Sequence, residues 1–408
     1  MLNFFDESIS QRADYTFKFN KTLGRHGWLR LTPAYSVKLV KDLIANDSPE
    51  LNILDPFSGT ATTGLVAAEH GNTSRTFDIN PFLIWLGNLK CRTYTIAELS
   101  KIKKGIAAAL DGVEPSIKET NWTPPIFNIE RWWSPHTLIT LAALRTQLVQ
   151  QFGEAKDSES CGLAWVAFCR LIIETSAAAF NHQSMSFHED VRHYEIEHVL
   201  ELYRTIADHV VKSAGTAIPG DAQVMEMDAR EIKTFGMKFS RVITSPPYPN
   251  RMSYIRELRP YMYWTRFLEE AKEAGELDWK AIGGTWGIAS SRLNDWEARH
   301  EGLPKTVFSV HDAICKAESK NSRLLGAYVL KYFHDMHMHL DSLRAILEPG
   351  AQLHYIVGNS TFFGNHVDTA ALLEESMKVL GFKDIMSRVI RKRNSKKELF
   401  EYDVSATW

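Results

Sequence analysis

The pentapeptide Thr244-Ser245-Pro246-Pro247-Tyr248 follows a short apolar stretch and combines residue types that could hold a planar aromatic amine. Two consecutive prolines remove two backbone donors and stiffen the chain, which leaves carbonyl oxygens, a serine hydroxyl and an aromatic ring. The oxygens can accept hydrogen bonds from an exocyclic amine, and the ring can stack on a flipped-out base. A rigid turn after a strand has the same pattern, so the loop alone leaves both interpretations open.

The chemistry that such a loop would serve takes place on an amine nitrogen whose lone pair is delocalised into the ring. Oxygen atoms that accept hydrogen bonds from the N–H groups return electron density to that nitrogen. It could then attack a methyl group held in line on a sulfonium, with orientation supplying much of the acceleration.

A glycine-containing turn over Asp55–Gly64 (DPFSGTATTG) is the second candidate site. Between a strand and a helix, such a turn lets backbone amides approach a ligand closely. The turn lacks the lysine of phosphate-binding loops and the G-x-G-x-x-G spacing of dinucleotide sites. Asp55 would repel a pyrophosphate but suits a ligand with an ammonium and a sulfonium, and Phe57 could pack against a cationic stem. An ordinary strand-to-helix turn is the alternative.

Asp78 ends the next predicted strand, in the stretch SRTFDIN. An acid at this place can accept hydrogen bonds from both hydroxyls of a ribose, as in dinucleotide folds. A helix-capping aspartate ahead of Asn80-Pro81 is an equally good account.

The elements that would position these residues alternate between short strands and helices. The stretches 33–46, 51–55, 61–71 and 74–80 indicate helix, strand, helix and strand, which is the start of a parallel sheet. Residues 95–220 are mostly helical, and strand patterns resume with AQVMEMD and FSRVITS. A helix over 325–347, a strand over 351–359, a helix over about 367–380 and a C-terminal strand pair follow.

This pattern predicts an α/β domain formed by residues 1–94 and 222–408. A mostly helical insertion, 95–221, and a second insertion within the catalytic domain, 250–325, interrupt it.

Composition excludes several classes of protein. The 408 residues carry a net charge of −2, 24% charged residues and 44% hydrophobic residues, as in ordinary globular proteins. There is no long apolar run and no secretory signal, and the four cysteines show no pairing pattern, so we expect a cytoplasmic protein without a membrane partner. Basic clusters occur at 101–104 and 391–397, where a solvated face is the alternative to DNA contact.

The order of DPFSGTATTG, FDINPF (77–82), MDAREI (227–232) and TSPPY (244–248) resembles the DNA amino-methyltransferase family, and TSPPY is typical of its cytosine-N4 members. The segment 28–36 resembles the family's N-terminal motif. The resemblance implies S-adenosylmethionine as cofactor and a seven-stranded, mostly parallel, Rossmann-like methyltransferase sheet with one antiparallel strand and helical insertions. Ala61 stands where the family has the second glycine of its turn.

The resemblance also assigns roles to residues of this chain. For the cofactor these are Asp55, Phe57 and Gly59 at the methionine part, Tyr35 and Thr62 as further contacts, Asp78 at the ribose and Asp228 at the adenine amine. Those that hold the target base are Ser245, Pro246, Pro247 and Tyr248.

The function that follows is methylation of cytosine N4 in double-stranded DNA with base flipping, for restriction-modification or defence, with a cognate restriction endonuclease as the matching partner. Sequence recognition would come from 95–221, assisted by 250–325.

Adenine-N6 methylation is the first alternative, and Ser245 is the only residue that distinguishes it from cytosine-N4 methylation. Methylation of RNA or of a protein glutamine, and a non-catalytic binding module, are further ones. Cytosine-C5 methylation is disfavoured, because no cysteine follows a proline.

Other residues carry weaker signals. Arg251 and Tyr254 follow the proline loop directly and Arg391 and Arg393 lie in the basic tail, so all four are candidates for DNA contact. The segment 181–187 could enter a groove or form a plain loop. The spacing of His334, His337 and His339 does not place all three on one helix face, so we expect no metal there.

Overall fold

The computed structural model describes residues 10–29, 31, 34–45, 50–157, 161–179, 186–284, 291–298, 302–393 and 399–408. The strands in this part of the chain are β1 (Asn52–Asp55), β2 (Thr73–Asp78), β3 (Ala178–Ala179), β4 (Ser186–Phe187), β5 (Asp221–Glu226), β6 (Phe239–Thr244), β7 (Leu347–Gly358), β8 (Ser360–Phe362), β9 (Asn365–Val367), β10 (Lys383–Lys392) and β11 (Phe400–Thr407).

The α-helices of the same residues are α1 (Val37–Ile44), α2 (Thr62–Glu69), α3 (Pro81–Cys91), α4 (Ile96–Asp111), α5 (Val113–Ser116), α6 (Pro135–Phe152), α7 (Gly162–Glu174), α8 (Ile196–Ala214), α9 (Tyr254–Trp264), α10 (Ala271–Lys280), α11 (Lys305–Cys315), α12 (Ser322–Leu343) and α13 (Thr369–Val379). Short 3-10 turns over Ala13–Tyr15, Phe17–Thr22 and Gly24–Gly27 precede α1.

Seven strands form one sheet in the spatial order β10-β11-β7-β6-β1-β2-β5. The pairs from β7 to β5 are parallel, whereas β11 is antiparallel to both of its neighbours. The prediction of a mostly parallel, Rossmann-like sheet with one antiparallel strand is therefore confirmed. The chain runs outward from β1 in both directions, so a crevice opens beyond the carboxyl ends of β1 and β6, where such folds bind their ligands.

Two large apolar cores hold the molecule together. One lies between the sheet and α11–α13 and includes Leu54, Val242, Tyr332 and Leu353. The other joins α3 and α9 to the helices of 95–221, with Trp133 and Trp264 fully buried in it. Both predicted insertions contribute side chains to this second core, so they pack against each other and against α3.

Within the described residues, neither 95–220 nor 250–325 contributes a strand to the seven-stranded sheet. The strand pair β3–β4 forms a small separate ribbon in the first of these segments. A role for 95–221 in reading DNA stays a prediction.

One predicted boundary is wrong. The sequence places a helix over 325–347 that Glu348-Pro349-Gly350 ends, but α12 ends at Leu343 and β7 already begins at Leu347. A register shift opposite Phe239 and Arg241 accommodates the proline, and Gly350 has a positive φ of 82°. A bulge of this kind is how a strand tolerates a missing backbone donor.

Candidate active site

A cavity of about 1500 Å³ opens at the carboxyl ends of β1, β2 and β6. It exceeds the usual volume of a site for one small molecule, roughly 300–1,000 Å³. Of the fifteen residues that the sequence names individually for cofactor, base or DNA, all but one line it. They are Tyr35, Phe57, Gly59, Thr62, Asp78, Asp228, Ser245, Pro246, Pro247, Tyr248, Arg251, Tyr254, Arg391 and Arg393.

Asp55 is the exception, because its carboxylate is fully buried behind the cavity wall. Oδ1 accepts hydrogen bonds from the Phe57 amide at 3.0 Å and from the Thr244 hydroxyl at 2.6 Å. Burial raises the pKa of Asp55 to about 6. Asp55 therefore fixes the β1–α2 turn and ties it to the proline loop, instead of lining the cavity as the sequence predicts.

The β1–α2 turn has a left-handed backbone at two places, Gly59 (φ 50°) and Ala61 (φ 57°). Alanine in this region costs about 1 kcal/mol relative to glycine. The Ala61 side chain is fully buried, and Gly87 of α3 packs so closely that an added Cβ would lie 3.1 Å from that of Ala61. Ala61 thus adopts the left-handed backbone that glycine usually provides, and its methyl group fills the contact between α2 and α3.

Asp78 faces the cavity and holds the turn from the opposite side. Its Oδ2 accepts from the Gly59 amide at 3.0 Å, and its Oδ1 accepts from the Asn80 amide at 2.8 Å. The cap of α3 is Asn80, whose side chain accepts from Phe82, so helix capping is not the role of Asp78. Burial raises the pKa of Asp78 to about 7.

Asp228 is held by a neighbour that the sequence does not single out. Arg230 donates to Oδ1 from Nε at 3.0 Å and to Oδ2 from Nη2 at 2.6 Å. The same guanidinium donates to Asp335 of α12 at 3.2 Å and to the Lys280 carbonyl at 2.8 Å. Burial alone would raise the pKa of Asp228, but Arg230 lowers it below its ordinary value.

The proline loop is fixed by hydrogen bonds to β7 and α12. The Ser245 hydroxyl donates to the Ile356 carbonyl at 3.2 Å, and the Tyr332 hydroxyl donates to the Pro247 carbonyl at 2.8 Å. Because the Ser245 proton is used in this way, its oxygen is an acceptor, and the Tyr248 side chain is already within its hydrogen-bonding reach.

The Tyr248 ring packs closely against Gly358, where an added Cβ would lie 2.8 Å from the ring carbon Cε2. The Arg393 guanidinium lies over the ring, 5.3 Å from its centroid. The Tyr248 amide donates to the Tyr254 hydroxyl at 3.3 Å. Burial raises the pKa of Tyr248 above its usual range, so the ring is neutral.

The three arginines predicted to contact DNA surround the base end of the cavity in different ways. Arg391 donates from Nε to Glu401 at 2.6 Å, so its charge is already paired. Arg393 donates to the Asn359 carbonyl at 2.9 Å. Arg251 has a left-handed backbone (φ 62°), and its amide donates to the Tyr328 hydroxyl at 3.2 Å. Residues 394–397 of the basic tail and 181–185 of the predicted groove segment lie outside the described residues.

Further contributions to the cavity come from residues that the sequence does not single out. These are 11–18, Lys280–Ile282 and 360–363. The first segment is joined to Tyr35 by an antiparallel bridge at Thr16, and the Tyr35 hydroxyl bonds to Thr63 of α2. The aromatic residues in 15–19 are the only feature of the sequence that indicates a contribution of segment 11–18 to the cavity.

His339 has a structural role near the cofactor end. Its ring bonds to the Ala229 carbonyl at 2.9 Å and to the Tyr355 hydroxyl at 2.6 Å, and packs edge-on against Phe57 at a centroid distance of 4.8 Å. Burial lowers the pKa of His339 to about 4, so the ring is neutral.

No helix in the described part of the chain is both long and apolar enough to cross a membrane.

The sheet, the site at its carboxyl edge and the order of the motifs define a Rossmann-like fold of the methyltransferase type. No protein-family model matches the chain. Its sequence is 24% identical to the type II methyltransferase M.BsoBI of Geobacillus stearothermophilus, over 95% of this chain and 84% of that protein. Fold and relative together support methyltransferase activity, and methyltransferases of this kind use S-adenosylmethionine in general.

Two solved structures show weaker similarity. TrmN from Thermus thermophilus is 12% identical with a TM-score of 0.32, covering 97% of this chain, which spans only 53% of the TrmN chain. The rRNA methyltransferase aviRa from Streptomyces viridochromogenes is 10% identical with a TM-score of 0.28, over 92% of this chain and 86% of that chain.

Proposed function

We propose that this protein is a DNA methyltransferase that transfers a methyl group from S-adenosylmethionine to N4 of cytosine in duplex DNA. The observation that carries the proposal is the 2.6 Å hydrogen bond from Thr244 to Asp55. It joins the turn predicted to hold the cofactor to the loop predicted to hold the base. Because residues predicted for both sites line one cavity, this bond would hold cofactor and base at a fixed spacing, as direct transfer between two bound molecules requires.

The cofactor end fits S-adenosylmethionine by the chemistry of its groups. Asp78 faces the cavity with carboxylate oxygens that can accept from ribose hydroxyls, and Asp228 can accept from an adenine amine. When bound, the cofactor supplies an electrophilic methyl group on a sulfonium. Phe57 and the carboxylates suit a ligand with positive charge.

The base end fits a flipped cytosine. Ser245 presents acceptor lone pairs because its proton is donated to Ile356, and Tyr248 offers a neutral ring for stacking. Accepting from the N4 amine increases the electron density on that nitrogen. Serine as the first residue of the loop favours cytosine over adenine by its resemblance to cytosine-N4 enzymes.

The DNA partner is supported by the type II methyltransferase relative and by the arginines at the cavity mouth. Arg393, Arg251 and Tyr254 would contact the flipped nucleotide or its phosphates, and 95–221 would read the flanking sequence. A role in restriction-modification or defence, with a cognate endonuclease, is part of the proposal. Action on DNA in the cytoplasm is part of the proposal.

The test is transfer of a labelled methyl group to duplex DNA, compared with tRNA, rRNA and a protein mixture. The methylated DNA is then digested to nucleosides, and the product is identified by mass. We expect N4-methylcytosine in DNA alone. N6-methyladenine would move the target to adenine, and label in RNA or protein without label in DNA would overturn the proposal.

A further inference from the structure

We propose that the 95–221 segment binds a transition-metal ion such as Zn²⁺ through His136, His193 and Glu195. This inference is independent of the proposed function, because the cluster does not line the large cavity. One side-chain donor atom of each residue lies within 4.8 Å of the other two. Two imidazoles and one carboxylate form a ligand set that zinc accepts, with a fourth position left for water.

The backbone next to the cluster is held by two hydrogen bonds between Tyr194 and neighbouring residues of α6. Tyr194 donates its amide to the Thr137 hydroxyl at 3.2 Å, and its carbonyl bonds to His136 Nδ1 at 3.2 Å. These bonds attach residues 193–195 to the first turn of α6. His193 and Glu195 flank the attached residue, so on an extended backbone they point to the same side.

The bond to His136 also selects the nitrogen that would bind the metal. When Nδ1 carries the proton donated to the Tyr194 carbonyl, Nε2 has a free lone pair. A metal-ligating histidine held by a backbone carbonyl through its other nitrogen is the usual arrangement in metal sites. The carbonyl therefore both orients the ring and sets its tautomer.

The ligand atoms need only a small adjustment to bind one ion. Donor atoms in a tetrahedral zinc site are ~3.3 Å apart. Glu195 Oε1 already lies 3.2 Å from His193 Nε2, and the rings of His136 and His193 have a centroid distance of 4.7 Å. The side chains of His193 and Glu195 are exposed, so rotation about their own bonds can close the gap.

Glu195 has no competing structural role that would withhold its carboxylate. It is the N-cap residue of α8, yet its side chain makes no capping hydrogen bond. Two helices begin at this cluster, and their dipoles oppose a cation. The negative charge of Glu195 would offset this unfavourable interaction between the helix dipoles and a cation, which is a reason to include a carboxylate in the proposed ligand set.

The ion would join the start of α6 to the segment before α8 and so brace the helical segment. The experiment is a calorimetric titration of the full-length protein, freed of metal by chelation, with Zn²⁺. Wild type is compared with His193→Ala, Glu195→Gln and a matched control, His188→Ala, which removes an exposed histidine outside the cluster. All four proteins, including the reference called wild type, carry Cys315→Ser. This change is needed because Cys315 Sγ lies 3.4 Å from His311 Nε2, and these two atoms could bind zinc themselves.

We expect one zinc ion per chain, and a loss of affinity of about tenfold or more in His193→Ala and Glu195→Gln. The control should bind as wild type does. Zinc should also raise the melting temperature of wild type and of the control but not of His193→Ala. Equal affinity in all four proteins, or no binding by any of them, would overturn the proposal. Circular dichroism of the metal-free variants separates loss of ligand from loss of fold.

Discussion

The two ends of the large cavity are built in different ways. At the cofactor end, Asp55 and Asp78 hold the same turn through bonds to backbone amides, and both come from one β-α-β unit. At the base end, Tyr248 depends on Gly358 and Arg393, which are far away in sequence. The turn at the cofactor end is thus a local construction, whereas the base end exists only when the whole sheet has formed.

Because of this difference, some substitutions should change cofactor binding and others should change capture of the base. A change at the cofactor end alters a charged acceptor in a rigid turn. A change at the base end alters a stacking surface that several segments share. The Thr244–Asp55 bond links the two ends directly, and beyond such contacts the effects should stay mainly at the end where they are made.

The largest effect should come from Asp78→Ala. Hydrogen bonds to a charged group contribute about 1.5–3 kcal/mol each, so loss of two ribose contacts should weaken S-adenosylmethionine binding about 100-fold or more. Calorimetry measures this, and Asp78→Asn, which keeps the shape and one acceptor, should lose less. Cofactor binding by Asp78→Ala within a few-fold of wild type would remove Asp78 from the ribose site.

Tyr248→Ala should lower kcat/KM on duplex DNA by about 10–100-fold, the cost of one lost base-stacking contact. The affinity for S-adenosylmethionine should change little, because Tyr248 belongs to the other end. Tyr248→Phe keeps the ring and is the matched control. A mismatch at the target base should partly restore Tyr248→Ala, because an unpaired base is easier to flip. Full transfer by Tyr248→Ala would show that the ring does not hold the base.

The pH dependence of cofactor binding should follow the ionisation of Asp78. The pKa of Asp78 is about 7, and the carboxylate must be ionised to accept from both hydroxyls. Affinity for S-adenosylmethionine should therefore rise up to about pH 7, and fall by up to about tenfold for each pH unit below it.

Stability of the cofactor-free protein should respond to Asp78 in the opposite direction. Its folded-state pKa is raised, so its contribution is present below the usual pKa of an aspartate and is lost as pH rises through about 7. Asp78→Asn should flatten both profiles. An unchanged pH dependence of cofactor binding in Asp78→Asn would assign the titration to another group.

The smallest effect should come from Arg230→Met, which removes a contact within the cofactor end. Arg230 orients both oxygens of Asp228, so its loss should reduce the preference for S-adenosylhomocysteine over its 6-oxo analogue by about fivefold. The two dissociation constants are measured for wild type, Arg230→Met and Arg230→Lys. Unchanged preference in Arg230→Met would mean that Asp228 is oriented without it, whereas failure of wild type to bind S-adenosylhomocysteine would count against the proposed function itself.

The sequence predicts residues at the carboxyl ends of strands better than it predicts contacts between distant segments. Asp78 and the proline loop can be found because each lies where a predicted strand ends, and parallel strands bring their carboxyl ends to one edge. The sheet order follows from the same alternation. The burial of Asp55 cannot be found in this way, because the strand pattern does not show which side of the turn its carboxylate faces.

Contacts between distant segments carry no local signal. Gly358 looks like an ordinary strand residue until Tyr248 packs on it, and Arg230 looks like a solvated charge until Asp335 of α12 is placed beside it. The extension of β7 to Leu347 was hidden by Pro349-Gly350, since the bulge that accommodates them depends on the partner strand. In each case the deciding partner is distant in sequence.

The position of the helical segment also has a consequence for how the protein folds. Strands β2 and β5 pair side by side, with Thr73 opposite Asp221, although the whole of α3–α8 lies between them in the chain. The entropy cost of closing a loop grows slowly with length, by about 0.6 kcal/mol per doubling. A segment that first packs its own apolar core brings the two ends together and lowers that cost. We therefore expect β5 to join the sheet late, and only after the helices of 95–221 have collapsed around Trp133 and Trp264.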